Sequence, residues 1–254
     1  MHLTTWQKGA NWLSHRVAVA RRRILLPRGV LSVGFDDFPR SAWTEGGPVL
    51  AAHGARATFF ASGGLCGVRW RGLAQFTDGD LAAAHAAGHE IGCHSFGHES
   101  AAQVSAARML ASIARNRVFL AERLDGYAPR SFAWPYGHAA PQIQWRASRR
   151  FACCRGVRAG LNGNVADASL LRGVGLERRQ RGLHDLPALI ACAAAERRWL
   201  ILFTHDVQDD PTDYGCTPAE LDAVLARARR EGLDIAPEGE VMARRAIPAG
   251  HTEV

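Results

Sequence analysis

No uninterrupted apolar run of about 18 residues occurs in this 254-residue chain, so nothing in it reads as a helix spanning a bilayer. Its six cysteines, Cys66, Cys93, Cys153, Cys154, Cys192 and Cys216, contain no C-x-x-C spacing. Several lie in apolar segments, where a free thiol behaves as a small hydrophobe, which argues against thiolate-bound zinc and against a disulfide framework. Lysine is scarce beside arginine; the net charge is +7 and the pI about 9.6. There is, however, no basic stripe interleaved with aromatics and no nucleic-acid module, so the charge reads as distributed. No repeat, low-complexity segment or linker divides the chain. With 47% hydrophobic residues it reads as one sizeable domain.

The N-terminal stretch, residues 1–28, holds Trp6, Lys8, Trp12, Arg16 and Arg21-Arg22-Arg23 but no apolar core followed by a small-residue cleavage site. The expectation is a solvated basic extension without a secretory signal, in a reducing, cytoplasmic setting, with peripheral contact to a membrane or polyanion as the alternative.

What the chain does contain is His94-Ser95-Phe96-Gly97-His98, two imidazoles four residues apart, at a reach that allows both to meet one ion at roughly 2.0 to 2.1 Å. The apolar run Gly29 to Phe35 delivers an acidic pair, Asp36 and Asp37, at its C-terminal end. With Asp37 as the third ligand, one acid binds metal and the other stays free. Either motif alone is common on protein surfaces. Together, each following a β-prone segment, they match the placement of sites at strand ends in α/β proteins.

Strands are expected near 30–35, 56–61, 89–93, 130–134, 151–154, 170–174, 199–204 and 233–236. Helices are expected near 42–53, 77–87, 101–124, 143–150, 185–197 and 217–231, with 156–167 as an irregular loop. Thr217-Pro218-Ala219-Glu220 is a capped helix start, and Trp199 to Thr204 is the continuous apolar run of a strand covered on both faces. The alternation argues for a single β/α domain, wound as a barrel or as an open sheet.

Val33-Gly34-Phe35-Asp36-Asp37-Phe38, Ala57-Thr58-Phe59-Phe60, Gly88 through His98, Phe132-Ala133-Trp134-Pro135-Tyr136-Gly137 and Leu202-Phe203-Thr204-His205 occur in that order. In this the chain resembles the polysaccharide deacetylases, the NodB-homology or carbohydrate esterase family 4 group, over most of its length. The resemblance implies a distorted (β/α)7-type barrel over residues 29–240, between the extension and a C-terminal tail at 241–254. It implies Asp37, His94 and His98 as ligands of a divalent metal, zinc by default with cobalt, nickel or iron accepted by the same donors. It also implies Asp36 as general base, His205 as general acid and the Tyr136 N–H at the oxyanion. Trp134, an aromatic beside that turn, reads as a sugar-stacking residue or equally as packing. The implied activity is removal of N-acetyl, in preference to O-acetyl, groups from an acetylated sugar. The alternatives are hydrolysis of small cyclic amides on the same fold, and a carbohydrate-binding relative that has lost catalysis.

Two departures stand out. Ala133 occupies the position where many members have the arginine that orients the catalytic Asp. The acid that supports the catalytic histidine has no clean match, with Asp167, Arg172 and Glu177 in the right region. Ser95, outside any G-x-S-x-G elbow, is expected to bond the metal loop's backbone, and His89 and Glu90 to be structural.

Overall fold

Residues 30–35 are buried at every position and unbroken by a charge, as a strand enclosed on both faces requires, and they form the middle of the molecule. The computed structural model describes residues 4–248. In chain order the strands are β1 (Arg21–Ile24), β2 (Val30–Phe35), β3 (Thr58–Ala61), β4 (Arg69–Trp70), β5 (Leu73–Ala74), β6 (Glu90–Cys93), β7 (Ser131–Ala133), β8 (Cys153–Arg155), β9 (Asn164–Asp167), β10 (Val174–Gly175), β11 (Trp199–Thr204), β12 (Asp234–Ile235) and β13 (Ala246–Pro248). The helices are α1 (Thr5–Ser14), α2 (Arg40–Thr44), α3 (Gly46–Ala52), α4 (Asp78–Ala86), α5 (Ala106–Arg123), α6 (Pro141–Ala147), α7 (Leu186–Ala195), α8 (Pro218–Arg230) and α9 (Glu238–Arg245).

The main sheet is parallel, with order β10-β11-β2-β3-β6-β7-β8 and β12 also paired to β2. A single bridge from Arg155 to Leu171 draws the β8 side toward β10. The expected distorted barrel is therefore found as a curled parallel sheet wrapped by helices. Along β2 the side chains alternate. Leu31, Val33 and Phe35 join the large core beneath α3, α4 and α8. On the other face, Ser32 accepts from the Trp199 indole at 2.9 Å, and a Cβ on Gly34 would meet Glu238 Oε1 at 3.0 Å. Gly34 thus leaves the interior space that the Glu238 carboxylate, from the first turn of α9, occupies.

The helix starts follow their caps. Thr77 and Thr217 each form a reciprocal capping box, with Asp80 and Glu220. α5 begins at Ala106 rather than near 101 because Ser105 caps it, accepting from the Arg108 N–H at 3.2 Å. The helix expected over 42–53 is two short ones meeting at Glu45.

Residues 156–167 are not wholly irregular: β9 pairs antiparallel with β1, which pairs on its other side with β13. The N-terminal segment expected as a solvated extension is thereby tied into the fold. The segment expected as a tail contributes the end of α9 and β13, while residues 249–254 of it lie outside the described part. All six cysteines are free. No helix among the described residues is long and apolar enough to cross a membrane.

Candidate active site

The C-terminal ends of β2, β6, β7, β8, β10 and β11 converge on one cleft of about 480 Å³. Asp36 and Asp37 follow β2, His94 follows β6, Tyr136 follows β7, Glu177 lies beyond β10 and His205 follows β11. Asp37, Phe38, Ser95, His98 and Tyr136 all adopt left-handed backbone conformations, with φ between 53 and 63°. Such conformations cost energy in non-glycine residues and persist where the surroundings enforce them, commonly at functional sites.

The three residues expected as ligands are brought together. Asp37, His94 and His98 are buried and offer ligand atoms that all lie within 4.8 Å of one another. His98 Nε2 is 2.9 Å and His94 Nε2 3.4 Å from Asp37 Oδ1, yet that oxygen is buried without a hydrogen bond. His94 Nδ1 sits 2.8 Å from the Ala133 carbonyl, which fixes the ring so that Nε2 is presented to the cleft beside Asp37. His98 Nδ1 contacts the Tyr136 hydroxyl at 3.1 Å. A buried carboxylate oxygen and imidazole nitrogens aimed at one point form a donor set that fits a divalent cation. Burial works to raise the Asp37 carboxyl, but the imidazoles of His98, His94 and His205 outweigh it and hold it well below the usual carboxylate range.

Asp36 lines the same cleft. It is paired with Arg155, whose guanidinium lies between the rings of Phe60 and Phe203, 5.1 and 4.9 Å from their centroids, and also reaches Glu238 Oε1 at 3.3 Å. This answers the absence of arginine at position 133. Ala133 and Arg155 face each other in register on β7 and β8, so the guanidinium comes from the neighbouring strand.

The second missing partner is Glu177. Its Oε1 is 3.4 Å from His205 Nδ1, which is also 3.2 Å from the Tyr214 carbonyl. Its other oxygen accepts from Arg179 at 2.9 Å and Gln180 at 2.7 Å. Asp167 instead caps Val19 and Ala20, and Arg172 bonds the Ala159 carbonyl. Burial depresses His205, but Glu177 together with Asp37 and Asp36 overcomes that and lifts its pKa to about 9. Its Nε2 points into the cleft, 4.0 Å from Asp37 Oδ2.

Two expectations need correction. Trp134 is 1% exposed and its indole N–H donates to the Ser169 carbonyl, so it packs with Phe132 and presents no face to a sugar. Its backbone continues the β7–β8 ladder by donating to the Arg155 carbonyl, which sends the side chain into the core. Trp70 lines the cleft instead, edge-on to His98 and under the Arg71 guanidinium. Ser95 donates to the Glu99 carboxylate at 3.3 Å, not to backbone, while Phe96 and Gly97 N–H groups go to Ser112. His89 and Glu90 are structural: His89 Nδ1 accepts from the Ala57 N–H, and Glu90 accepts from Thr58 and from the Gly239 N–H of α9. Asp206, beside His205, caps the following loop through Thr212 and Gln208.

Residues 26–150 match a family model described as polysaccharide deacetylase. A chitin deacetylase of Colletotrichum lindemuthianum is 25% identical over 143 residues, 56% of this chain and 51% of the relative, so the chain spans about half the length of that protein. A family 4 acetyl xylan esterase from Clostridium thermocellum, solved with a cobalt ion, has a similar fold, with TM-score 0.57 and 20% identity over 84% of this chain and 90% of that one. PdaA of Bacillus subtilis, a family 4 carbohydrate esterase, has TM-score 0.58 and 13% identity over 92% of this chain and 88% of that one.

Proposed function

This chain belongs to the polysaccharide deacetylase family, and from that membership we propose that it is a metal-dependent hydrolase that removes N-acetyl, in preference to O-acetyl, groups from an aminosugar polysaccharide, oligosaccharide or glycoconjugate. One observation carries the reading. Two proton-handling side chains flank the Asp37-His94-His98 cluster, and each is backed by a buried partner of opposite charge, Arg155 behind Asp36 and Glu177 behind His205.

Asp36 is the base. Its carboxylate, aimed by Arg155, accepts the proton of the water that attacks the acetyl carbonyl carbon. The Tyr136 N–H, carried on a left-handed residue directly after Pro135, donates to the oxygen that becomes negative. As the C–N bond breaks, His205 gives its Nε2 proton to the departing amine. Glu177 and the Tyr214 carbonyl keep the Nδ1 proton in place and favour the charged imidazole before that transfer. Asp37, His94 and His98 would hold a divalent cation, zinc by preference, whose positive charge would polarise the carbonyl and acidify water. Trp70, Arg71, Tyr136 and Tyr214 line the cleft where the sugar lies, the aromatic rings suited to stacking on it.

The test is acetate release from N-acetyl chito-oligosaccharides and from O-acetylated xylan, with wild type and Asp36→Asn. The expected result is release from the N-acetylated sugars, lowered about 10²- to 10⁴-fold in the variant, the range for loss of a general base. An unchanged rate in Asp36→Asn would contradict the assignment. So would release from the ester substrate alone.

A further inference from the structure

A second groove, about 660 Å³, lies between the end of α1 and the segment that joins β8 to β10. Arg16, Arg158, Arg172, Arg198 and His15 line it. Its two acids are already engaged. Asp167 accepts from the backbone of Val19 and Ala20 and from Ser169, and Glu196 is paired with Arg198 at 2.8 Å. Among the described residues, no carboxylate pairs with Arg16, Arg158 or Arg172. Arg158 Nη1 reaches the His15 carbonyl at 3.4 Å and Arg172 Nη1 the Ala159 carbonyl at 3.0 Å, contacts that satisfy N–H groups without balancing charge. Burial first, and then the neighbouring Arg158, depress Arg172; burial followed by Arg158 and Arg172 depresses His15. Arg16 and Arg158 are exposed, while Arg172 is partly buried with its charge beside that of Arg158, a repulsion that a bound anion relieves.

The groove and the catalytic cleft meet along the chain at residues 157 and 158. Arg158 lines the groove, and the preceding residue, Val157, lines the cleft together with Gly137 and His138. The end of α1 is fixed against that same corner, where Asn11 accepts from the Ala139 N–H at 3.0 Å. We propose that this groove is a subsite for an anionic group, a carboxylate or a phosphate, carried by the acetylated glycan beside the sugar that enters the catalytic cleft. Guanidinium groups suit both anions, since their planar fork offers paired donors to two oxygens. The proposal rests on the deacetylase reading for its substrate and on the arginines for its charge.

The experiment has two arms. In the first, kcat/KM is measured on a neutral N-acetyl chito-oligosaccharide, on a glycan of equal length carrying lactyl carboxylates, and on one carrying a sugar phosphate. The expected preference for one or both acidic glycans is about tenfold, and the larger ratio identifies the anion. Arg158→Gln with Arg172→Gln is expected to bring that ratio close to one, while the neutral substrate is turned over within about twofold of wild type and Arg158→Lys with Arg172→Lys keeps much of the preference. Equal rates on neutral and acidic glycans in wild type would overturn the proposal, as would a proportional loss on all three in the Gln variant.

The second arm needs no turnover. Calorimetric titration of N-acetylmuramic acid and of N-acetylglucosamine 6-phosphate is expected to show binding to wild type that weakens with salt and is lost in the Gln variant. Binding retained in that variant would assign the anion to the catalytic centre and overturn the subsite. Binding lost there while no acetylated sugar is hydrolysed would keep the subsite and reject the deacetylase reading.

Discussion

Asp36 and Asp37 are neighbours in the chain, yet each belongs to a cluster that balances its charge in a different way. Asp37 faces the cleft with His94 and His98, and its Oδ1 is buried without a hydrogen bond. Asp36 lines the same cleft but is backed from the interior by Arg155, which meets both it and Glu238. Burial lifts Glu238, and although Arg155 opposes this, Glu90 and Asp36 add to it, so its pKa is pushed up to about 8. At neutral pH Glu238 therefore keeps its proton, and the inner cluster closes on a single ion pair, Asp36 with Arg155. The inner side supplies its own cation. The outer side presents a donor set that fits one from solution. Adjacent acids in one loop are thus given separate tasks by what each faces.

The contrast is broken most severely by removing the inner cation. Arg155→Met leaves Asp36 enclosed without its counter-charge and is expected to lower stability by about 3–5 kcal/mol, read by urea unfolding. A loss below about 1 kcal/mol would mean the pair is dispensable to the fold.

Glu177→Gln weakens the support of His205 without touching Asp36. His205 holds its proton up to about pH 9, and loss of the neighbouring carboxylate lowers that point. The alkaline limb of kcat against pH is expected to move to lower pH, with kcat down about tenfold at the optimum. An unmoved alkaline limb would separate Glu177 from the acid's titration.

Glu238→Gln is expected to act only through the pH dependence of stability. The unfolded chain gives up this proton near pH 4.5 and the folded chain near 8, so the native state loses stability as pH rises across that window. The variant has no proton to lose. It is expected to match wild type near pH 4 and to be more stable at pH 8, by up to about 4 kcal/mol. Equal stability of the two proteins at both pH values would show that Glu238 is ionised in the fold at neutral pH.

The residues that announce themselves in the sequence are those at the ends of long buried strands. Val30 to Phe35 and Trp199 to Thr204 are continuous apolar runs, and the side chains directly after them, Asp36-Asp37 and His205, land in the cleft. Partners that arrive across strands are harder to read. Arg155 replaces the expected arginine through the register of β7 and β8, which local spacing does not encode. A signal was nonetheless present, because a charge ending the apolar run Phe151-Ala152-Cys153-Cys154 must find a buried counter-charge. Glu177 follows a strand of only two residues, too short for its periodicity to stand out. Trp134 and Trp70 are both aromatics beside turns, and only the continuation of the β7 ladder sends the first into the core. β1, β9 and β13 pair over long sequence separations, and Arg21-Arg22-Arg23 carries no alternation that would mark a strand.

The measurement that bears most directly on the two-cluster account is calorimetric titration of zinc into metal-stripped protein, wild type beside Asp37→Ala and Asp36→Asn. The account predicts one ion per chain in wild type and in Asp36→Asn, and loss of tight binding in Asp37→Ala with the fold intact by circular dichroism. Binding unchanged in Asp37→Ala, or abolished by Asp36→Asn, would contradict it.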